Sequence, residues 1–231
     1  MSKLSDQLAN VLNAVNETAA AAGREPGEVR LLAVSKTFPA SDVLEAYHAG
    51  QREFGENRVQ ELEQKVPALP RDIVWHLIGH LQSNKAAKAA ELADWVHSVD
   101  SVKLVNKLSD AAQKAGKTLK ILLEVNVSGE ESKYGIRTKE ELFQAAEAAV
   151  SAPAIEWKGL MTMAPADAKG EELNAVFSGL RQMRDELEQK YSVKLPELSM
   201  GMSGDYPAAI AEGATIVRIG TAIFGGRDYS K

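Results

Sequence analysis

The chain has 231 residues, 45% of them hydrophobic and 26% charged, with a net charge of −5, four histidines and no cysteine. A chain of this length can bury roughly 70–75% of its unfolded surface, so it needs neither disulfide nor metal to fold. The missing cysteine excludes a disulfide framework, thiolate metal sites and a cysteine nucleophile, and the net negative charge argues against nucleic acid as the main partner. Residues 1–23 (MSKLSDQLANVLNAVNETAAAAG) lack the basic and apolar regions of a signal peptide. No run reaches the ~18 apolar residues of a membrane span. The expectation is a cytoplasmic protein with neither a membrane nor a nucleic-acid partner.

In chain order, Leu4, Leu8, Val11, Leu12, Val15 and Ala19 form one helical stripe, closed by Gly23 and Pro26. Val29–Ser35 reads as a short buried strand. Pro39 and Ser41-Asp42 open a helix that runs to Ala49 and stops at Gly50. The alternation then repeats. Strands are expected at Glu53–Gly55, Ile73–Ile78, Trp95–Val99, Thr118–Val127, Ile155–Met161, Glu197–Met200 and Thr215–Ile219. Helices are expected at Asn57–Lys65, Ser83–Leu92, Val102–Ala115, Lys139–Val150, Glu171–Tyr191 and Tyr206–Glu212. Eight strands, each followed by a helix or helical turn, imply parallel βαβ units. Near-continuous apolar strands suit a sheet covered on both faces. The pattern fits a single (β/α)8 barrel over residues 1–231, with an extra N-terminal helix; an open doubly wound sheet is the rival.

Barrel chemistry sits at the C-terminal ends of the strands. Polar and glycine-rich signatures fall there one after another: Ser35-Lys36-Thr37, Gly55-Glu56-Asn57, HLIGHLQSNK at 76–85, NVSGEESKYG at 126–135, Met161-Thr162-Met163, GMSGD at 201–205 and Arg218-Ile219-Gly220-Thr221. The last two loops precede helical turns, where backbone N–H groups are unpaired and anions bind. Simple strand-end punctuation is the alternative for either loop alone. Gly220 to Arg227 has the glycine spacing of a P-loop but lacks its Lys and Ser/Thr, and no GxGxxG occurs, so nucleotide hydrolysis and a dinucleotide site are rejected.

Lys36 ends an apolar strand. Held in a partly desolvated mouth it would have a lowered pKa and could form a Schiff base; a solvated strand-end lysine is the bland alternative. Arg218 interrupts the run Ile216–Ile219, so it either points into the mouth or pairs with a buried acid. His76 and His80 are read as hydrogen-bonded rather than metal-binding, because no HExxH is present. Glu56 and Glu124 are the only carboxylates near the strand-end positions that a glycosidase would need. Met161, Met163, Met200 and Met202 either line the mouth or pack the core.

LLAVSKTFP around Lys36, FGENRVQE at 54–61, WHLIGHLQSNK at 75–85, GLMTM at 159–163, LSMGMSGD at 198–205 and VRIGTAIFG at 217–225 resemble the pyridoxal 5′-phosphate (PLP) homeostasis protein family, single-domain relatives of alanine racemase. The similarity spans essentially the whole chain. It implies a TIM barrel of PLP fold type III, without the C-terminal β domain of the racemases. It implies PLP held as an internal aldimine on Lys36, its phosphate against Ser203, Gly220 and Thr221, Asn57 beside it, and Arg218 near the pyridine nitrogen. An arginine there disfavours ring protonation and weakens the ring as an electron sink.

The function implied is PLP buffering, carriage or delivery within vitamin B6 homeostasis, with effects on amino- and keto-acid balance. PLP-dependent apoenzymes would be the recipients. A weak PLP-dependent amino-acid racemase is the alternative, and a sugar-phosphate enzyme without PLP is a third reading. Racemases of this kind carry a second β-rich domain that supplies a tyrosine base. Only seven residues follow Phe224 here, so no robust catalysis, no catalytic residue, no metal and a monomeric state are expected.

Overall fold

The computed structural model of the protein describes residues 2–226; Arg227, considered above, lies outside the described residues. Helix α1 (Lys3–Ala21) precedes the barrel and buries Leu8, Val15 and Ala19, with Ser2 as its N-cap accepting from the Ser5 amide. The repeats follow: β1 (Arg30–Val34), α2 (Ala40–His48), β2 (Glu53–Glu56), α3 (Val59–Lys65), β3 (Val74–Leu77), α4 (Ala86–Leu92), β4 (Trp95–Val99) and α5 (Val102–Lys114). Then come β5 (Leu119–Glu124), α6 (Lys139–Ser151), β6 (Ile155–Met161), α7 (Gly170–Tyr191), β7 (Glu197–Met202), α8 (Tyr206–Ala211), β8 (Ile216–Ile219) and a single turn, α9 (Thr221–Phe224). The eight strands form one closed barrel in sequence order. All pairs are parallel, and β1 meets β8 with Leu32 opposite Arg218. The doubly wound alternative is therefore replaced by closure.

Alternation along each strand divides the apolar residues in two. Outward residues such as Leu31, Ala33 and Phe54 join Leu62, Leu104, Leu108, Phe177 and Leu180 from the helices in the main core between barrel and helices. Inward residues fill the lumen as two small groups. One is Leu32, Val34, Ile78 and Ile216; the other is Trp95, Leu122 and Met161. Each fully buried leucine contributes about 2 kcal/mol by removal from water. Helix α6 starts at a reciprocal cap, in which Thr138 accepts from the Glu141 amide and Glu141 accepts from the Thr138 amide.

Element boundaries differ from expectation mainly after β5. The expected strand runs to Val127, but Asn126 captures the chain instead. Its side-chain Nδ2 donates to Glu130 O, and its Oδ1 accepts from Gly129 N. The expected helix at 83–92 begins as a 3₁₀ turn, Ser83–Lys85, before α4.

Candidate functional site at the C-terminal end of the barrel

Lys36 stands two residues beyond Val34, on the parity of the lumen-facing Leu32 and Val34, and is half-buried. The corner that carries it is held on both sides. Ser35 Oγ donates to Glu56 Oε1 at 2.7 Å, and Lys65 Nζ donates to Ser35 O at 2.9 Å and to Glu56 Oε1 at 2.6 Å. Thr37 adopts φ 69°, a left-handed conformation uncommon outside glycine. Its amide donates to Glu61 Oε1 at 2.6 Å. Burial pushes the Glu56 carboxyl up to about 7, against the pull of Lys65. Glu56 itself lies outside the lumen, on the helix side, because Glu53 and Gly55 take the inward parity. It therefore braces the corner rather than facing the mouth.

Across the mouth lie the loops after β7 and β8. Gly201 has φ 93°, and a Cβ there would come within 2.6 Å of Ala209 Cβ. A Cβ on Gly220 would meet Val34 O at 2.9 Å, so only glycine lets this loop pass so close to the end of β1. Among the described residues, the amides of Ser203, Gly204, Thr221 and Ala222 donate no hydrogen bond within the protein. Asp205 accepts from the Met202 amide and fixes the turn. Ser203, Tyr206, Ile219 and Ala222 share a cavity of about 340 Å³ with Gln7, Asn10, Val11 and Ala14 of α1. The helix ahead of the barrel thus walls the two loops, a contribution not foreseen from the sequence.

Arg218 is buried in the lumen, 4% exposed. Its Nη1 donates to Ser199 O at 2.7 Å and Ser199 Oγ at 2.8 Å, and its Nη2 donates to Thr162 O at 2.9 Å. Burial lowers its pKa to about 10, opposed by Glu124 and Asp205, so it remains a cation at neutral pH. Of the two expected alternatives, facing the mouth or pairing directly with an acid, the bonds are to neutral oxygens. Glu124 ends β5 on the lumen side, and burial pushes its carboxyl up to about 7.

The predicted residues thus fall at one end of the barrel: Lys36 after β1, Asn57 after β2, Ser203 after β7, and Arg218, Gly220 and Thr221 at the end of β8. Asn57 is half-buried, and Ser203 and Thr221 are exposed. The histidine pair does not act together. His76 is buried beside Trp95 and His97, whereas His80 is exposed and stacks on Tyr134 with centroids 3.8 Å apart. The methionines divide too. Met161 fills the lumen, Met163 packs on it, Met200 joins the main core and Met202 is exposed. Of the tyrosines, Tyr47 donates to Asp72 and Tyr191 to Phe143 O, Tyr134 lies on His80, and Tyr206 lines the cavity beside Ser203. No group of three or more metal-ligating side chains occurs among the described residues. No described helix is long and apolar enough to cross a membrane.

His97, Ser199 and Glu53 escaped the sequence reading. The signal that could have found them is parity: each is a polar residue at an inward-facing position of its strand.

Residues 7–228 match the family described as alanine racemase, N-terminal domain. The pyridoxal phosphate homeostasis protein of Pseudomonas aeruginosa is 46% identical over 230 residues, covering 99% of this chain and 98% of that one. PipY of Synechococcus elongatus PCC7942, solved with PLP bound, is 42% identical with a TM-score of 0.80, covering 91% of this chain and all of that one. An alanine racemase from Streptomyces coelicolor shares the fold at 20% identity, with a TM-score of 0.77, over 96% of this chain and 59% of that one. With motifs at seven strand ends, a closed barrel and full-length relatives in agreement, the chain belongs to the alanine racemase N-terminal domain family and, within it, groups with the pyridoxal phosphate homeostasis proteins.

Proposed function

We propose that this protein binds PLP at the C-terminal end of its barrel and serves PLP homeostasis in the cytoplasm, holding the cofactor and releasing it to PLP-dependent apoenzymes. The observation that carries this reading is the facing arrangement of a braced lysine corner and two loops with unpaired amides. The residues fit the group. Ser203, Gly204, Thr221 and Ala222 offer N–H donors to a phosphate. Gly220 lets the loop that carries Thr221 and Ala222 close on the end of β1. Lys36 supplies a primary amine, and Asn57 lies between that corner and the next strand end. Bound here, PLP would supply an aldehyde carbon that an amine can engage reversibly with loss of water, making Lys36 Nζ the covalent anchor.

Arg218 decides what kind of site this is. A permanent donor facing a ring nitrogen meets a lone pair, not a proton, and an unprotonated ring is a weak electron sink. Such a site holds the cofactor without driving carbanion chemistry, and this favours a carrier over a racemase. The test is to titrate purified protein with PLP, reduce with borohydride and map peptides by mass. A visible absorption band that borohydride removes, with the mass tag on Lys36, is the expected result. Absence of uptake, or a tag on another lysine alone, would overturn the reading.

A further inference from the structure

Below Arg218 the lumen contains a line of polar side chains. Arg218 Nη1 lies 2.8 Å from Ser199 Oγ, which lies 2.9 Å from His97 Nδ1. His97 Nε2 lies 2.9 Å from His76 Nδ1. His76 Nε2 lies 3.4 Å from Glu53 Oε2, a longer contact between ring and carboxylate. Ser199, His97 and His76 are each 0% exposed. At the floor, Arg30 Nη1 holds both oxygens of Glu53 at 3.0 and 3.1 Å, and Arg30 Nη2 reaches Glu197 Oε1 at 2.7 Å.

The two ends dictate a direction. A guanidinium only donates and a carboxylate only accepts. Ser199 Oγ already accepts from Arg218, so its single proton goes to His97 Nδ1. A neutral His97 then carries its N–H on Nε2 and donates to His76 Nδ1. His76 in turn carries its proton on Nε2, where it faces the Glu53 carboxylate across the 3.4 Å contact without the alignment of a hydrogen bond. The opposite tautomers would leave the Ser199 proton without an acceptor and aim a ring lone pair at the carboxylate. Burial, together with the nearby Arg218 and Arg30, disfavours a cation on His97, and burial does the same at His76.

We infer that Ser199, His97 and His76 are positioning residues for Arg218. They form a one-way donor chain that ends with His76 Nε2 against the Glu53 carboxylate and turns Nη1 down the lumen. Nε and the remaining Nη2 N–H are left for the mouth. The inference deepens the PLP reading and rests on it in one respect, the nature of the group that Arg218 meets.

Two measurements test it. In the first, nitrogen NMR of the histidine rings is recorded on protein without PLP between about pH 6.5 and 8.5, across the range where an unperturbed imidazole would be losing its charge. Both rings should be neutral, with the proton on Nε2. A proton on Nδ1 of either ring, or a cation at pH 7, would overturn the chain.

In the second, Ser199→Ala is compared with the wild type and with Ile216→Val, which trims the apolar lumen without touching the chain. Ser199→Ala should fold, bind PLP about tenfold more weakly and shift the pH midpoint of the visible band. Ile216→Val should leave that midpoint in place. Folded Ser199→Ala with unchanged affinity and midpoint would overturn the positioning role. Wild-type protein that takes up no PLP would instead overturn the ligand reading, and the tautomers then decide the chain alone.

Discussion

Glu124 and Glu56 show how placement separates two chemically identical groups. Both are buried carboxyls pushed up to about 7. Glu56 faces Lys65 on the helix side, while Glu124 faces the lumen, with Asp100 adding repulsion and Arg218 opposing it. A carboxyl whose folded pKa lies above its unfolded value stabilises the fold at low pH. That contribution is full below the unfolded value near 4.5 and is lost as pH rises to about 7. Glu124→Gln should therefore melt higher than wild type at pH 8, by on the order of 5 °C, with the gap narrowing toward pH 5. Equal melting differences at both pH values would show that Glu124 ionises freely. At this scale the sequence was informative where a residue broke a pattern: Lys36 ends an apolar strand and Arg218 interrupts another. His97 and Ser199 break the pattern as well, but only against a lumen face that is defined once eight strands are in register.

Helix α3 shows what an element contributes beyond its own packing. It is only seven residues long, yet Glu61 and Lys65, one turn apart, reach back to both sides of the Lys36 corner. Lys65 is 5% exposed, so replacing it leaves the Glu56 carboxylate buried without its cation. Lys65→Met should cost about 3–5 kcal/mol in urea unfolding at pH 8, and Lys65→Met with Glu56→Gln should recover most of that loss. Strictly additive losses would disprove the pairing. Elements as such were legible, since the period of apolar residues marked the helices and strands, whereas α2 starts at Pro39 with no side-chain cap. What escaped was the chain beyond β5, where the Asn126 side chain competes with the sheet for backbone groups. The partnership of α3 with the corner escaped too, because it joins residues 30 apart in sequence, Lys65 and Ser35.

At the scale of the whole molecule, the first and last strands close on each other, and Arg24 reaches from before β1 to Ala214 O ahead of β8. A ring of parallel strands has no segment that can detach without opening the ring, so unfolding should be all-or-none. Tryptophan fluorescence samples both compartments, with Trp95 in the lumen and Trp75 and Trp157 in the outer core. Its denaturant transition should coincide with that of far-UV circular dichroism, and an earlier fluorescence transition would reveal a lumen that loosens first. The strand and helix order implied a barrel, but not its register, which depends on bulges such as that between Ile121 and Leu122. The divided interior also bears on how such a chain can change over time. The outer core is a matter of volume, and single apolar exchanges there have graded costs. The donor line in the lumen has only one consistent direction, so a lone exchange along it strands a proton or a lone pair. Drift in the outer core can proceed one step at a time, whereas the lumen can alter only through several concerted replacements.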